Sequence, residues 1–371
     1  MTGPEGRLPQ AKAYQRIRQR LTLFHLFFTP AVLLIIYLSP WSALLKDFAM
    51  RPFENAFGVT GVYFLYFSLT QLVLDLPLVF YGGYVLEKKY QLTTQTLSAW
   101  AREFLKRAGL SFAIALILVE LLYFLIRCSE TDWWFWAWLG YAGFSILMGR
   151  LFPVFIVPLF YKYSPIANDE LRQRILALAE RSKMPVENIY SINLSKTTKK
   201  ANAAFMGIGR SRRVVLSDTL LEKFTIPEIE TVLAHELGHY RHRDIWKMVA
   251  FSAVLSGIFF WTLNRIFLAA AIPVSDVLHM PLLFFALFVM NALTIPLQSA
   301  FSRRMERAAD RFALETSRDP EAFIRALQKL GEINLSDPDP DPLYAKIFYD
   351  HPPIGERIRR AKAFVLGGSA V

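Results

Sequence analysis

Long runs of apolar residues, separated by short polar segments, organise this chain more than any alternating pattern does. Six of them approach or exceed the roughly twenty residues that cross a bilayer as a helix. They are Leu21 to Leu45, Val62 to Leu86, Leu110 to Ile126, Trp133 to Tyr161, Met248 to Ala271 and Val277 to Phe301. The third is the shortest, and the fourth is overlong and interrupted by Gly149-Arg150 and Pro153, so the count is six or seven. Between the fourth and fifth runs the pattern changes to ordinary amphipathic spacing. It predicts a helix from about Asp169 to Ser182, a strand near Ile189 to Leu194, and a hairpin-like pair around Ala203 to Ile208 and Arg213 to Leu216. Gly207 and Gly209 suit the turn. Thr225-Ile226-Pro227-Glu228 reads as a capping box with proline in the first turn, opening a helix over 226–247. After the last apolar run come a short helix through Leu330, a Pro/Asp-rich stretch at Asp337 to Pro342, and an extended segment ending His351-Pro352-Pro353.

The expected fold is mainly α: a polytopic α-helical membrane bundle joined to a small α+β domain. Residues 1–161 supply about four spans. Residues 162–371 supply the soluble elements, the 226–247 helix, two further spans near 248–271 and 277–301, and a C-terminal tail.

Composition agrees, since 54% hydrophobic and 15% aromatic residues are too many for an ordinary soluble enzyme. The first run is too long for a cleavable signal and lacks a small-residue cleavage site, so it reads as an anchor. Basic residues set the orientation. Arg7, Lys12, Arg16, Arg18 and Arg20 precede the first span, and Lys88, Lys89, Arg102, Lys106 and Arg107 follow the second, whereas the intervening loop holds only Lys46 and Arg51. Both termini and the 226–247 helix are therefore expected on the cytoplasmic side. The net charge of +11 belongs to these flanks and to anionic lipid headgroups, not to nucleic acid. The single cysteine, Cys128, excludes an intrachain disulfide and a cysteine-based zinc cage. Trp133-Trp134-Phe135-Trp136 reads as an interfacial aromatic belt. Among polar residues within spans, Asp75 and Glu120 either pair with Arg150 or line a wet cavity. His25 and His279 lie near span ends and read as structural.

Candidate chemistry centres on His235-Glu236-Leu237-Gly238-His239. Histidines four apart share one helix face, where both reach one metal ion. Zinc lowers the pKa of bound water, and an adjacent carboxylate, Glu236, can take its proton. A catalytic zinc takes three protein ligands, and Glu306, beyond the last span, completes a His, His, Glu set. Asp310, one turn later, can hold a ligating imidazole by a hydrogen bond. The rival reading of 303–311 is a surface ion-pair helix rich in arginine. His242 is the other candidate ligand, but on a continuous helix it stands about 10 Å from His235 along the axis and is better placed to support or to face solvent. His351 could donate to an oxyanion or cap the following helix. The short strand near 203 offers a free edge for an extended peptide.

Together these residues resemble the integral-membrane zinc metallopeptidases of the CAAX prenyl protease type. The likeness runs from about Pro158 to Arg357. It comprises Pro158-Leu159-Phe160 with Lys162 and Pro165, Asn202-Ala203 with Phe205 and Gly207, Arg213 to Leu216 with Asp218 to Leu221, the His235 motif, Ser302-Arg303-Arg304 with Glu306 and Asp310, and Tyr349 with His351-Pro352-Pro353 and Glu356-Arg357. The resemblance implies a gluzincin-like peptidase with one Zn2+ per chain on His235, His239 and Glu306. It further implies Glu236 as general base, Asp310 in support, His351 facing the site, and a bundle enclosing a water-filled chamber. Asn202, Ala203 and Phe205 would bind substrate, a peptide that is membrane-associated or lipid-modified. Where the family usually has Asn-Ala-Tyr this chain has Asn202-Ala203-Ala204, it shows six clear spans where eukaryotic relatives have seven, and it has no acidic insert before the motif helix. A bacterial inner membrane is expected over the endoplasmic reticulum, since the closing Gly-Gly-Ser-Ala-Val is no retention signal. The alternative function is a non-catalytic transporter or scaffold with a structural metal.

Overall fold

The computed structural model describes residues 4–182, 189–209 and 213–367. The tip of the expected hairpin and nearly all of the closing Gly-Gly-Ser-Ala-Val lie outside the described residues. Six helices are long and apolar enough to cross a membrane. They are α1 (Pro4–Leu38); α3 (Ala56–Phe80), which continues through a π-helical turn at Tyr81–Val85 into α4 (Leu86–Lys89); α5 (Leu97–Cys128); α6 (Trp133–Leu151); α11 (Asp244–Ala269); and α12 (Met280–Ser317). A short α2 (Trp41–Met50) lies between the first two. The overlong fourth run is one span. Pro153 lacks an N–H, and the ladder absorbs it as a π-helical turn at Phe152–Ile156 before resuming as α7 (Val157–Phe160).

Contacts near the helix ends tie most of these spans together, and α6 and α11 also pack along their lengths, Trp138 Nε1 donating to the Ala253 carbonyl at 2.7 Å. On α1 the buried residues are Ala11 and Tyr14, then Val32, Leu33 and Ile36; on α5 they are Trp100, then Val119, Tyr123 and Ile126. At the far end the contacts form two clusters, one around Tyr63, Phe67 and Met280, the other around Trp133, Leu263 and Leu283. At the domain end Tyr14 and Leu86 meet Leu335. Within the most hydrophobic stretch of each span only 6–17% of residues are buried, so the spans pack through a few residues each and leave most of their apolar surface open.

Two expectations within the spans change. Trp133 is fully buried against Phe260 instead of lying in an interfacial belt, although Trp136 is exposed. Neither Asp75 nor Glu120 pairs with Arg150 among the described residues; Glu120 Oε2 is buried without a partner. His279 has the structural role expected, accepting or donating to Tyr37 Oη at 3.2 Å.

The α+β domain holds a four-stranded sheet in the order β1-β2-β4-β3. Its strands are β1 (Tyr163–Pro165), β2 (Ile189–Ile192), β3 (Ala203–Met206) and β4 (Arg213–Ser217). Strands β3 and β4 pair antiparallel as expected, with Ala204 opposite Val215. β2 runs parallel to β4, and β3 is left as the outer strand. The helices of this domain are α8 (Asp169–Arg181), α9 (Asp218–Lys223), α10 (Ile226–Arg241), α13 (Pro320–Asn334), α14 (Pro342–Phe348) and α15 (Ile354–Val365), with α9 and α10 against the sheet. Ile175, Leu178, Val214, Leu216, Leu233, Leu237, Phe323 and Leu327 form one core between them.

Helix α10 opens with the expected capping box, Glu228 accepting from the Thr225 N–H at 2.8 Å. It does not run to 247. The ladder stops at Arg241, Arg243 adopts a left-handed backbone at φ 57°, and α11 starts at Asp244. A left-handed residue with a side chain costs about 1–2 kcal/mol. The contacts of Asp244, described next, offset it.

Candidate metal centre and its substrate edge

Gly238 decides where α10 crosses α12. A Cβ at that position would lie 2.9 Å from Ala309 Cα, so only glycine lets the helices approach this closely. Three residues on either side of that contact then face each other. His235 Nε2 and His239 Nε2 are 3.2 Å apart, and each is 3.3 Å from an oxygen of Glu306. His235 and Glu306 are buried, and His239 is partly exposed.

The other nitrogen of each imidazole is held by a carboxylate. His235 Nδ1 bonds Asp310 Oδ1 at 2.8 Å, and His239 Nδ1 bonds Asp244 Oδ2 at 2.9 Å. Both Nε2 atoms are thereby turned toward Glu306. Asp310 is itself gripped by the buried Arg357 through both oxygens, at 2.6 and 2.9 Å. Arg303 does not join a surface ion-pair helix; it is buried and bonds the carbonyls of Ala345, Lys346 and Tyr349, which fixes the loop carrying His351. His351 caps no helix, since α15 begins after Pro353 without a side-chain cap. Its Nε2 lies 3.2 Å from Glu306 Oε1 and its Nδ1 2.9 Å from Asp350.

Electrostatics follow from this geometry. Burial pulls His239 down, but its hydrogen bonds to Asp244 and Glu306 outweigh that and raise its pKa to about 10. Burial also opposes charge on His235, and bonds to Asp310 and Glu306 raise it nonetheless. His351 is raised chiefly by Asp350. Without a metal, protons compete for the site.

The donor set fits zinc. Ligands 2.0–2.1 Å from an ion at tetrahedral angles stand about 3.3–3.4 Å apart; the two Nε2 atoms are 3.2 Å apart, and each lies 3.3 Å from a different oxygen of the Glu306 carboxylate. Glu306 Oε2 is also buried without a hydrogen-bond partner among the described residues, an orphan a cation would satisfy. These three residues could hold one ion. His242 stays outside: it is set edge-on against Phe312, and its Nδ1 has no partner.

Glu236 points toward β3, where Oε2 accepts the Phe205 N–H at 3.0 Å. Phe205 leans on Tyr240, with ring centroids 5.0 Å apart. A cavity of about 490 Å³ opens beside Glu236, walled by Asn202, Ala203, Leu327, His351 and Arg357. A second, of about 660 Å³, lies on the His239 side with Gly207 and Trp246. The approach to β3 is tied down at three points. Asn334 bonds both the N–H and the carbonyl of Ala201, Thr198 bonds Leu92, and Lys200 Nζ reaches Glu87 and the Tyr14 hydroxyl, each at 3.0 Å.

Sequence reasoning missed Asp244 and Arg357. A polar break, His242-Arg243-Asp244, where a soluble helix meets a span was the available signal for the first. The second was marked only as part of the resemblance, in Glu356-Arg357, with no role given to it.

The description of peptidase family M48 matches residues 165–365. That of the CAAX prenyl protease N-terminal, five membrane helices, matches residues 4–162, a stretch that here carries four long helices and the ten-residue α2. The uncharacterized metalloprotease YhfN of Bacillus subtilis is 33% identical over 324 residues, covering 85% of this chain and 75% of that one. CAAX prenyl protease 1 of Saccharomyces cerevisiae is 32% identical over 316 residues, covering 78% and 69%. The crystal structure of S. mikatae Ste24p matches with a TM-score of 0.85 at 28% identity, covering 95% of this chain and 88% of that one.

Proposed function

The chain belongs to peptidase family M48, among its CAAX prenyl protease-like membrane metallopeptidases, and on that premise we propose how it works. His235, His239 and Glu306 hold one zinc ion, which when bound supplies a Lewis acid and a nucleophile near neutral pH. Glu236 takes the proton of the attacking water and passes it to the leaving amine. Asp310 and Asp244 keep the imidazoles in the required tautomer. His351, beside Glu306 on an exposed loop, donates to the carbonyl oxygen as charge develops there. Asn202, Ala203 and Phe205 hold the peptide extended along the β3 edge.

The observation that carries this reading is the meeting of two imidazole nitrogens and the Glu306 carboxylate in one group that could hold a metal ion, with a second carboxylate held on the outer strand edge beside them. The site acts at the cytoplasmic face, which the basic flanks of the first two spans support. Its substrates are membrane-tethered peptides, including lipid-modified ones. Support comes from α12, a continuous helix that carries Glu306 out of the sixth span.

Glu236→Gln tests the mechanism, because it removes the base and no ligand. Zinc content should be unchanged while peptide turnover falls about 10²–10⁴-fold. Unchanged turnover would refute the assignment, and zinc retention without cleavage of any peptide by the unsubstituted protein would favour a structural metal.

A further inference from the structure

The backbone of β3 faces two ways. The Ser217 N–H donates to the Asn202 carbonyl at 2.9 Å, which makes residues 202 and 217 a hydrogen-bonded pair. In an antiparallel ladder such pairs recur every second residue, so Ala204 with Val215 is the next. Ala203 and Phe205 therefore turn their N–H and C=O groups away from β4, toward the open edge. Part of that edge is already taken, because the Phe205 N–H is the group that holds Glu236 Oε2.

We infer that Phe205 is a positioning residue acting through its backbone: its N–H fixes the Glu236 carboxylate on the strand, and the carboxylate ends the stretch on which a peptide can pair. This rests on the reading of Glu236 as the base. A strand added to β3 needs outward-facing N–H and C=O groups in succession, and Ala203 is the last residue that offers both. The bond from Phe205 to the carboxylate is charge-assisted, stronger than one a peptide carbonyl would make in its place. The peptide consequently leaves the ladder opposite Phe205. Its first unpaired peptide group is then the one within reach of Glu236 and of the three metal-ligating atoms. The scissile bond is selected by counting along the backbone from Ala203, whatever side chains the peptide carries.

Two variants separate the donor from the ring. Phe205→Pro removes the N–H at an outward-facing edge position, where a strand tolerates proline. Phe205→Ala keeps the N–H and loses the contact with Tyr240. Cleavage sites on a set of unmodified peptides are mapped by mass spectrometry with zinc-loaded full-length protein. Phe205→Pro should lower kcat about 10–100-fold, change KM less, and add products displaced by two residues. Phe205→Ala should keep the original cleavage site, even with weakened binding. A Phe205→Pro protein that cuts the same single bond with kcat within threefold of the unsubstituted protein overturns the inference. Should that variant fail to fold, a structure of the Glu236→Gln protein with a bound peptide decides. The peptide should pair with both backbone groups of Ala203 and leave the Phe205 N–H on the substituted side chain; a peptide carbonyl on that N–H overturns the inference. Turnover by Glu236→Gln would instead defeat the peptidase mechanism itself, so the two failures are distinct.

Discussion

Replacing Asp244 by alanine should loosen the metal and cost the fold less than replacing Asp310 does. One oxygen of Asp244 holds His239 Nδ1 at 2.9 Å, and the other takes Lys247 Nζ at 2.9 Å. Lys247 is 48% exposed, so after truncation its ammonium returns to water. Asp244 is itself buried, so the fold feels chiefly the loss of its bond to His239, about 1.5–3 kcal/mol for a hydrogen bond to a charged group. Asp310→Ala is the instructive contrast. It strands the Arg357 guanidinium, only 12% exposed, and removing one partner of a buried pair costs about 3–5 kcal/mol. For the metal the two aspartates are equivalent, each orienting one imidazole. Loss of such a partner weakens affinity about 10–100-fold, or about 1.4–2.7 kcal/mol. Competition for zinc against a chromophoric chelator should show that weakening in both variants. Thermal unfolding in detergent with a metal chelator present should show the larger fall for Asp310→Ala. If Asp244→Ala binds zinc within about threefold of the unsubstituted protein, the claim that this carboxylate presents His239 to the metal is wrong.

Gly238→Ala should force α10 and α12 apart at Ala309, destabilising the protein by about 1–3 kcal/mol and lowering zinc occupancy; a variant with normal melting and normal zinc content would contradict the packing argument. Zinc binding should release protons near neutral pH, because His239, its pKa raised to about 10 by Asp244 and Glu306, carries a proton the metal must displace. Affinity should accordingly rise with pH through neutrality and fall toward acid. Calorimetry in two buffers of different ionisation enthalpy reads the proton count, and zero protons released would refute the reasoning.

The spans were legible because each is a local run of apolar residues, and the His235 motif because its spacing is local to one helix. Glu306 was legible by chemistry: a catalytic zinc needs a third ligand, and the resemblance pointed to the same residue. What could not be read depends on tertiary geometry. Asp244 reaches His239 only because a single residue, Arg243, turns left-handed and ends α10 six residues early, whereas periodicity alone carries that helix to 247. Arg357 meets Asp310 across 47 residues of chain, and no spacing rule connects them. Trp133 looked interfacial from its neighbours, yet α11 covers it through Phe260. The role of Gly238 was equally hidden, since its partner lies on another helix.

Helix α12 makes one side of the metal centre a lever. Its foot, at Met280 and Leu283, is fully buried among other spans, and Glu306 projects from the same rod. That is about 39 Å away at 1.5 Å per residue, so a tilt of about one degree pivoting at the foot carries the carboxylate about 0.7 Å. Metal sites tolerate deviations of about 0.2 Å in bond length. A rigid α12 would therefore couple the packing of its foot to the position of the Glu306 carboxylate, and Pro296, which lacks a backbone donor between the two, is the place where such a rod can bend.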